Sequence, residues 1–331
     1  MLTERVLDAA TDLILRAGYG ATSLGAVAAA ERKVLRRELL EKLSSVENPD
    51  DCDGADNTTV GDVQSLVTEI AEVALSDVLL RLTQRAPVDV PVALIAAHPD
   101  DETIGAGASL HLFRRLLLVH VTDGAPRRLQ HTAATGFVSA VSYAEARRRE
   151  LKTALDIGGA DPELAILGAP DQEASLQLAD LTAALACLLR QHDTTCVITH
   201  PYEGGHPDHD AAAFVTHRAA ARAHEPEILE MTSYHAEPDG GVATACFLPN
   251  GPLATVIALS EAEQARKRAM LKCFVSQHLS LDQFGTGREP FRPAPRYDFT
   301  APPHSGMLHY ERGDQRMTGA RWRELAARAL A

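Results

Sequence analysis

The sequence predicts an α/β fold, in which a Rossmann-like, mostly parallel sheet carries helices on both faces and follows an N-terminal helical extension. From residue 90 onward, short apolar runs alternate with amphipathic segments of helical spacing. The runs, such as VALIAA at 92–97 and TCVIT at 195–199, are apolar nearly throughout, which is typical of parallel strands buried on both faces. This alternation favours a doubly wound sheet, whose reactive groups gather beyond the carboxyl ends of its strands.

The pattern divides the chain into three regions. Residues 1–88 have helical spacing on either side of an acidic, Gly- and Asp-rich segment at 44–62, so they predict a helical extension with an acidic loop. Residues 89–285 hold the alternating strands and helices. Residues 286–331 contain five prolines between 288 and 310 and end in a short predicted helix. Prolines favour extended, irregular chain, which would either close over a site as a lid or wrap the surface as a tail.

Composition argues against several classes of protein. The 331 residues include 32 basic and 45 acidic side chains, and the net charge of −13 disfavours broad nucleic-acid binding through phosphate neutralisation. Five scattered cysteines without a CxxC pair disfavour a disulfide framework or a thiolate zinc site and favour a reducing compartment. No apolar run reaches the length of a membrane span, and the first residues lack the apolar core of a signal peptide. We therefore expect a soluble, cytoplasmic protein.

Ionisable side chains follow the first predicted strand, in the sequence His98-Pro99-Asp100-Asp101-Glu102. Burying such groups at a strand end costs free energy unless they bind a partner or take part in chemistry, and adjacent carboxylates repel each other. A cation nearby would relieve the repulsion and keep both aspartates ionised. The alternative for the same residues is a role in turns and helix caps alone.

A second polar cluster, His206-Pro207-Asp208-His209-Asp210, follows a later predicted strand and a pair of glycines. Pro207 suits the first turn of a helix, where His206 and His209 can face one site. Two histidines and a carboxylate are a common ligand set for catalytic zinc, with an open position for water. A further carboxylate can then act as general base, and a further histidine can stabilise an oxyanion. The two clusters together supply this complement.

The motif AHPDDE at 97–102, followed by HPDHD at 206–210, resembles the paired signature of the PIG-L/LmbE-like deacetylases. These are zinc enzymes that hydrolyse the acetamide of N-acetylglucosamine-type sugars. The resemblance covers roughly residues 90–280, so region 89–285 is interpreted as the deacetylase domain. It also includes VTDG at 121–124, the helix with Arg147 and Glu150, and Ser276-Gln277.

This resemblance implies a role for each residue of the paired motif. The zinc ligands would be His98, Asp101 and His209, holding one Zn²⁺ per chain, and Fe²⁺ could bind the same ligand set. Asp100 would be the general base. His206 would stabilise the tetrahedral oxyanion and protonate the leaving amine.

Other residues receive supporting roles. Asp208 is expected to orient the neighbouring catalytic histidine, as carboxylates behind reacting side chains do. Arg147 could bind substrate, but a run of three arginines at 147–149 also fits a solvated helix face. Asp171 could bind sugar hydroxyls, and turn chemistry explains it equally well. Glu102 is expected to cap or hold its loop, and His200 is interpreted as a core or loop residue.

The N-terminal stretch TERVLDAATDLILRAGYGATSL at 3–24 resembles the first helices of TetR-type helix-turn-helix domains. We interpret it as a helical extension that packs on the catalytic domain or forms a homo-oligomer contact. The predicted function of the chain is metal-dependent hydrolysis of the acetamide of an N-acetyl amino sugar or sugar conjugate. The alternatives are hydrolysis of another small amide in specialised metabolism, and a ligand-sensing regulator that binds DNA through the N-terminal helices. Asp100 favours an enzyme, because binding alone needs no general base.

Overall fold

The computed structural model describes residues 76–127, 136–237, 240–249, 251–312 and 317–331. The predicted acidic loop and the helix-turn-helix-like stretch lie outside the described residues. Arg81–Ala331 forms one compact unit, which holds all of the predicted site residues. The predicted region boundaries after residues 88 and 285 stay predictions.

The described residues form one large sheet and one small one. Their strands are β1 (Val92–Ala96), β2 (Leu116–Pro126), β3 (Glu163–Asp171), β4 (Cys196–Thr199), β5 (Glu227–Met231), β6 (Tyr234–Ala236), β7 (Val242–Thr244), β8 (Thr255–Ala258) and β9 (Arg288–Pro293). The large sheet has the order β3-β2-β1-β4-β5-β9-β8, and β6 pairs with β7. Strands β1 to β5 are parallel, whereas β9 and β8 extend the sheet as antiparallel neighbours. The predicted mostly parallel sheet is confirmed.

Helices cover both faces of this sheet. The α-helices of the described residues are α1 (Asp77–Thr83), α2 (Asp101–Ala106), α3 (Ala140–Gly158), α4 (Leu178–Gln191), α5 (Pro207–Ala220), α6 (Glu261–Leu271), α7 (His278–Leu281) and α8 (Gly319–Leu330). Ala93 and Ile95 of β1 belong to a core that includes side chains of α4, α5 and α8. Because side chains alternate along a strand, the buried Leu94 points to the other face, where α2, α3 and α6 pack together. None of the described helices is long and apolar enough to cross a membrane.

The proline-rich region contains a strand, where the sequence predicted irregular chain. Strand β9 pairs with β5, with Phe291 opposite Met231, and also with β8. Prolines cannot donate to a sheet ladder, so a proline-rich run is a poor sequence signal for a strand between two others. Further along, the fully buried Trp322 of α8 donates its indole N–H to the Pro207 carbonyl at 3.0 Å. Helix α8 thus packs against α5, the helix that follows β4. Movement of residues 288–310 as a lid stays a prediction.

Candidate metal centre and active site

The strand order places the two polar clusters side by side. Strand β1 lies between β2 and β4, so the chain winds away from β1 in one direction and returns to begin β4 on its other side. Loops that follow adjacent strands at such a switch point form a crevice at the carboxyl edge of the sheet. We name the segment 97–102 the β1 loop and the segment 200–209 the β4 loop.

Buried polar side chains shape the β1 loop. Asp100 has φ of 147° and ψ of −27°, a backbone conformation that a residue with a side chain rarely adopts. The carboxylate of Glu102 accepts the Asp100 N–H at 3.1 Å and the Thr103 hydroxyl at 2.7 Å. His120 on β2 lies 3.0 Å from the same carboxylate. Glu102 therefore holds the loop from behind, which is the role expected for it.

Glycines and a helix start shape the β4 loop. Gly204 has φ of +70°, and a Cβ on it would lie 2.6 Å from a Leu308 methyl carbon. The carboxylate of Asp210 accepts the Gly204 N–H at 3.0 Å. His206 is the N-cap of α5, and its Nδ1 accepts the Asp208 N–H at 3.2 Å. The first turn of α5 thus fixes His206 and His209 relative to the sheet.

The three predicted metal ligands lie together. One carboxylate oxygen of Asp101 is 3.2 Å from His98 Nδ1, and the other is 3.2 Å from His209 Nε2. Ring nitrogens of His98, His206 and His209 also lie within 4.8 Å of one another. All four side chains are buried. Asp101 thus contacts both predicted histidine ligands, while the groups whose possible ligand atoms all lie within 4.8 Å include His98, His206 and His209, and Asp101, His200 and His209.

The protonation of His206, His209 and Asp101 fits a divalent cation. Burial lowers the pKa of His209 to about 4 and that of His206 to about 3, so both rings are neutral at pH 7. Burial would raise the pKa of Asp101, but the adjacent His209 and His200 hold it well below its ordinary value. Neutral imidazole and ionised carboxylate are the forms that bind metal ions. A nitrogen, nitrogen and oxygen donor set of this kind suits zinc.

Carboxylates surround the remaining edge of His98. Its Nε2 lies 3.2 Å from both Asp171 and Asp208. Burial alone would lower the pKa of His98, but Asp171, Asp101 and Asp208 raise it well above its ordinary value. Negative charge therefore surrounds the His98 ring, and a bound cation would balance it.

Asp208 has more partners than the sequence predicted. Its carboxylate accepts the Gln172 N–H at 2.5 Å and the Ala174 N–H at 3.1 Å, which ties α5 to the loop after β3. The nearest contact between the side chains of Asp208 and His206 is longer, at 3.9 Å. The hydrogen bonds show that Asp208 anchors the loop after β3. Orientation of His206 by this carboxylate stays a prediction.

Arg147 reaches the predicted base from α3. Its guanidinium donates to the Asp100 carboxylate at 2.7 Å, to the Pro99 carbonyl at 2.8 Å and to the Gly124 carbonyl at 2.9 Å. The side chain is 3% exposed, which excludes the solvated helix face. Burial raises the pKa of Asp100 to about 8, while Arg147 opposes that rise. A cation bound by the neighbouring ligands would act in the same direction as Arg147 and lower the pKa of Asp100.

Two residues in this region were missed or set aside at the sequence level. His200, interpreted there as a core or loop residue, stacks on the His209 ring at 4.1 Å and lies 3.4 Å from Asp101. Its Nε2 accepts the Ala97 N–H at 3.1 Å, so it links the ends of β1 and β4. Its position directly after β4 was the available signal. Tyr234, whose ring lies 5.3 Å from that of His209, has no sequence signal of its own.

A cleft of about 750 Å³ opens over these residues. Its lining includes all of the predicted ligands and Asp100, together with His206, Arg147 and Asp171. A smaller hollow of about 250 Å³ at residues 245–256 contains none of the predicted site residues. Ligand pockets typically measure about 300–1,000 Å³, so the larger cleft has the size of a small-molecule site. Contact of Arg147 and Asp171 with a substrate stays a prediction.

Several solved structures are similar to this chain. The A40926 pseudoaglycone deacetylase is 20% identical, with 64% of this chain and 99% of that chain covered and a TM-score of 0.49. The N,N′-diacetylchitobiose deacetylase from Pyrococcus horikoshii is 18% identical, with 73% and 95% covered and a TM-score of 0.47. The zinc-inhibited form of teicoplanin deacetylase is 16% identical, with 63% and 100% covered and a TM-score of 0.46. A comparison with curated protein sequences gave no match.

A family model also matches the chain. Residues 93–220 match the PIG-L family, described as GlcNAc-PI de-N-acetylase. This stretch runs from β1 to the end of α5 and therefore includes both loops that form the candidate centre. With both signature motifs inside the match and next to each other in space, the chain carries a PIG-L family domain at residues 93–220.

Proposed function

We propose that this protein hydrolyses the acetamide of an N-acetyl amino sugar or sugar conjugate, giving acetate and a free amine. The observation that carries the proposal is one cleft lined by His98, Asp101 and His209, in which Asp101 contacts both histidines and Asp100 lies beside them. Metal ligands and a spare carboxylate next to each other are the requirement for metal-assisted amide hydrolysis. The family match over residues 93–220 supports an acetamide as the group cleaved.

The residues present would hold one divalent cation per chain, which we propose to be Zn²⁺, with Fe²⁺ able to use the same ligands. His98 and His209 would each supply a ring nitrogen, and Asp101 would supply a carboxylate oxygen. When bound, such a cation lowers the pKa of water and polarises a carbonyl oxygen.

Asp100 would take the proton from the attacking water. The Arg147 guanidinium, 2.7 Å away, fixes the direction of its carboxylate and favours the ionised form that a base needs. As the carbon–nitrogen bond of the amide breaks, the proton passes from this carboxylate or from His206 to the leaving nitrogen. The strained backbone at Asp100 is consistent with a residue whose position is fixed by a functional role.

His206 would stabilise the oxyanion as a neutral donor. Its Nδ1 accepts the Asp208 N–H, so in the neutral ring the proton lies on Nε2 and is free to donate. Burial lowers the pKa of His206 to about 3, which keeps the ring neutral at pH 7. A donor that is fixed before reaction stabilises developing negative charge without reorganisation.

The alternatives differ in what the cleft accepts and in what the N-terminal region does. Another small amide would use the same ligands and base, and the lining of the cleft would then select it. A ligand-sensing regulator would not need Asp100 held by an arginine beside the metal ligands. The N-terminal residues that such a regulator would use, for which the sequence predicts helices, lie outside the described residues.

The direct experiment measures metal content and acetate release together. We expect the purified protein to contain about one zinc or iron ion per chain, and to release acetate from at least one member of a panel of N-acetylglucosamine glycosides. Chelation should abolish release, and added Zn²⁺ or Fe²⁺ should restore it. A metal-loaded protein that releases acetate from no N-acetyl sugar but cleaves another small amide would favour the first alternative. A protein without any hydrolytic activity that shifts genomic DNA fragments in a gel would favour the second.

A further inference from the structure

A histidine from the last region of the chain reaches the cleft of the candidate centre. His309 lies within residues 286–331 and lines this cleft together with the predicted metal ligands. The family match ends at residue 220, and the sequence resemblance to that family ends near residue 280. None of the roles proposed above uses this side chain. His309 is therefore a part of the cleft that the paired motif does not explain.

Hydrogen bonds to the β4 loop fix His309 in place. Its backbone N–H donates to the Gly204 carbonyl at 2.8 Å, and its ring Nδ1 lies 3.2 Å from the Gly205 carbonyl. Because a carbonyl oxygen only accepts, Nδ1 carries a proton. The next residue, Tyr310, is hydrogen-bonded to Asp210, whose carboxylate also accepts the Gly204 N–H. The orientation of the His309 ring is therefore set by the loop that carries the histidines of the second motif.

The second ring nitrogen of His309 is an acceptor without a protein partner. Burial lowers the pKa of His309 below its ordinary value, so the ring is neutral at pH 7. In a neutral imidazole with its proton on Nδ1, Nε2 accepts hydrogen bonds. Among the described residues, none is hydrogen-bonded to this Nε2, and the ring is only half-buried. The acceptor is therefore available to a molecule in the cleft.

The position of His309 is close to the catalytic end of the cleft. The Tyr234 ring lies 5.1 Å from that of His309 and 5.3 Å from that of His209, a predicted metal ligand. Tyr234 also lines the cleft. One aromatic ring thus separates His309 from the candidate centre. An amino sugar whose acetamide lies at that centre carries its ring hydroxyl groups, which are hydrogen-bond donors, within a few bonds of the acetamide.

We propose that His309 is a specificity-determining residue, whose Nε2 accepts a hydrogen bond from a ring hydroxyl group of the amino sugar. This inference rests on the proposed function, because it places the acetamide of the same substrate at the candidate metal centre. A sugar that lacks the hydroxyl leaves the fixed acceptor unpaired in the complex, and such an analogue is rejected. The C-terminal region thus selects the substrate, while the two motifs supply the chemistry.

Deoxy sugars combined with two variants test this role. We would measure kcat/KM of the zinc-loaded protein for the methyl glycoside of N-acetylglucosamine and for its 3-, 4- and 6-deoxy analogues. At least one analogue should lower kcat/KM about fivefold or more, because it lacks the hydroxyl that His309 binds. His309→Asn retains an amide N–H near the position of Nδ1 but has no acceptor at the position of Nε2. In this variant the penalty for that one analogue should disappear.

His309→Gln is the opposite variant, because its longer amide can place an acceptor near the position of Nε2 but not the donor to Gly205. It should keep at least part of the penalty. His304→Asn is the control in the same segment, since His304 lies outside the cleft lining, and it should keep the full penalty.

A purely structural role for His309 gives a different result. If the ring only tethers the β4 loop, His309→Gln should lower kcat/KM by the same factor for all four sugars, and His309→Asn should resemble the unmodified protein. Either that pattern, or hydrolysis of all three deoxy analogues at the normal rate, would overturn the assignment and leave the proposed function intact. Failure to release acetate from any N-acetyl sugar would overturn both.

Discussion

The β1 loop and the β4 loop meet at one point but are built differently. The β1 loop contributes the carboxylates Asp100 and Asp101, and it is held by side chains, with Glu102 binding its backbone and Arg147 binding its base. The β4 loop contributes imidazoles and is shaped by glycine backbone and by the start of α5. The difference follows from charge. Ionised carboxylates in a buried place need charged or polar neighbours, whereas burial alone keeps a histidine neutral.

The comparison predicts that the two loops respond differently to substitution. Replacing Asp100 in the β1 loop should remove chemistry and leave the metal site occupied. In the β4 loop, replacing His209 should remove the metal, replacing His206 should lower turnover, and replacing Gly204 should weaken the fold.

Replacing the base should affect turnover and little else. Asp100→Asn keeps the size of the side chain but cannot accept the water proton, so kcat should fall about 10³-fold, within the range of about 10²–10⁴ that general bases contribute. Metal content, measured by elemental analysis, should stay near one ion per chain. Asp180→Asn, on the exposed face of α4, is the control and should match the unmodified protein. A kcat for Asp100→Asn within tenfold of normal would show that another group is the base.

The two histidines of the β4 loop should separate metal binding from catalysis. His209→Ala removes a proposed ligand, so metal affinity should fall by more than about 100-fold, the upper effect of residues that merely support ligands. His206→Ala should keep the metal and lower kcat about 10²–10³-fold, as the loss of an oxyanion donor does. Metal titration and steady-state kinetics on both variants measure this. The assignment of roles would be reversed if His206→Ala lost the metal and His209→Ala kept it.

The glycine backbone of the β4 loop should matter for stability. Gly204→Ala places a side chain at φ of +70° and against Leu308, so the free energy of unfolding should fall by about 1–3 kcal/mol. Gly285→Ala is the matched control, because a Cβ there meets no atom within 4 Å. The urea midpoints of the two variants give the comparison. Equal midpoints would show that the β4 loop tolerates side chains as the β1 loop does at Asp100.

The smallest effect concerns the far part of α5, the helix that begins in the β4 loop. Burial lowers the pKa of His217 to about 4, from an ordinary value near 6.5. Between these pH values the unfolded chain binds a proton that the folded protein does not, so this residue makes stability fall as pH falls from about 6.5 to 4. His217→Gln should flatten that part of the pH profile of the urea midpoint, and the exposed His224→Gln should not. A slope unchanged by His217→Gln would contradict the burial effect.

The position of the candidate centre could be predicted from the sequence because it depends on local signals. Each motif directly follows an apolar run, and adjacent parallel strands bring such loops together without any detail of packing. His98, Asp101 and His209 accordingly lie within contact distance. Their functional roles stay predictions.

Other features depend on contacts between distant parts of the chain, which no local pattern encodes. Arg147 binds the Asp100 carboxylate across 47 positions of sequence, and Glu150 binds Ser276 across 126. A run of arginines on a helix fits solvent equally well until the packing of that helix is known. The strand at Arg288–Pro293 was missed because its prolines are a signal for irregular chain.

The most direct test of the metal centre is a crystal structure of the zinc-loaded protein with an anomalous difference map at the zinc edge. We predict one strong peak per chain, about 2.0–2.2 Å from a ring nitrogen of His98, a ring nitrogen of His209 and a carboxylate oxygen of Asp101. Asp101, His200 and His209 form the neighbouring group that could hold an ion instead. A peak bound by His200 rather than His98, or no peak between the β1 and β4 loops, would contradict the account.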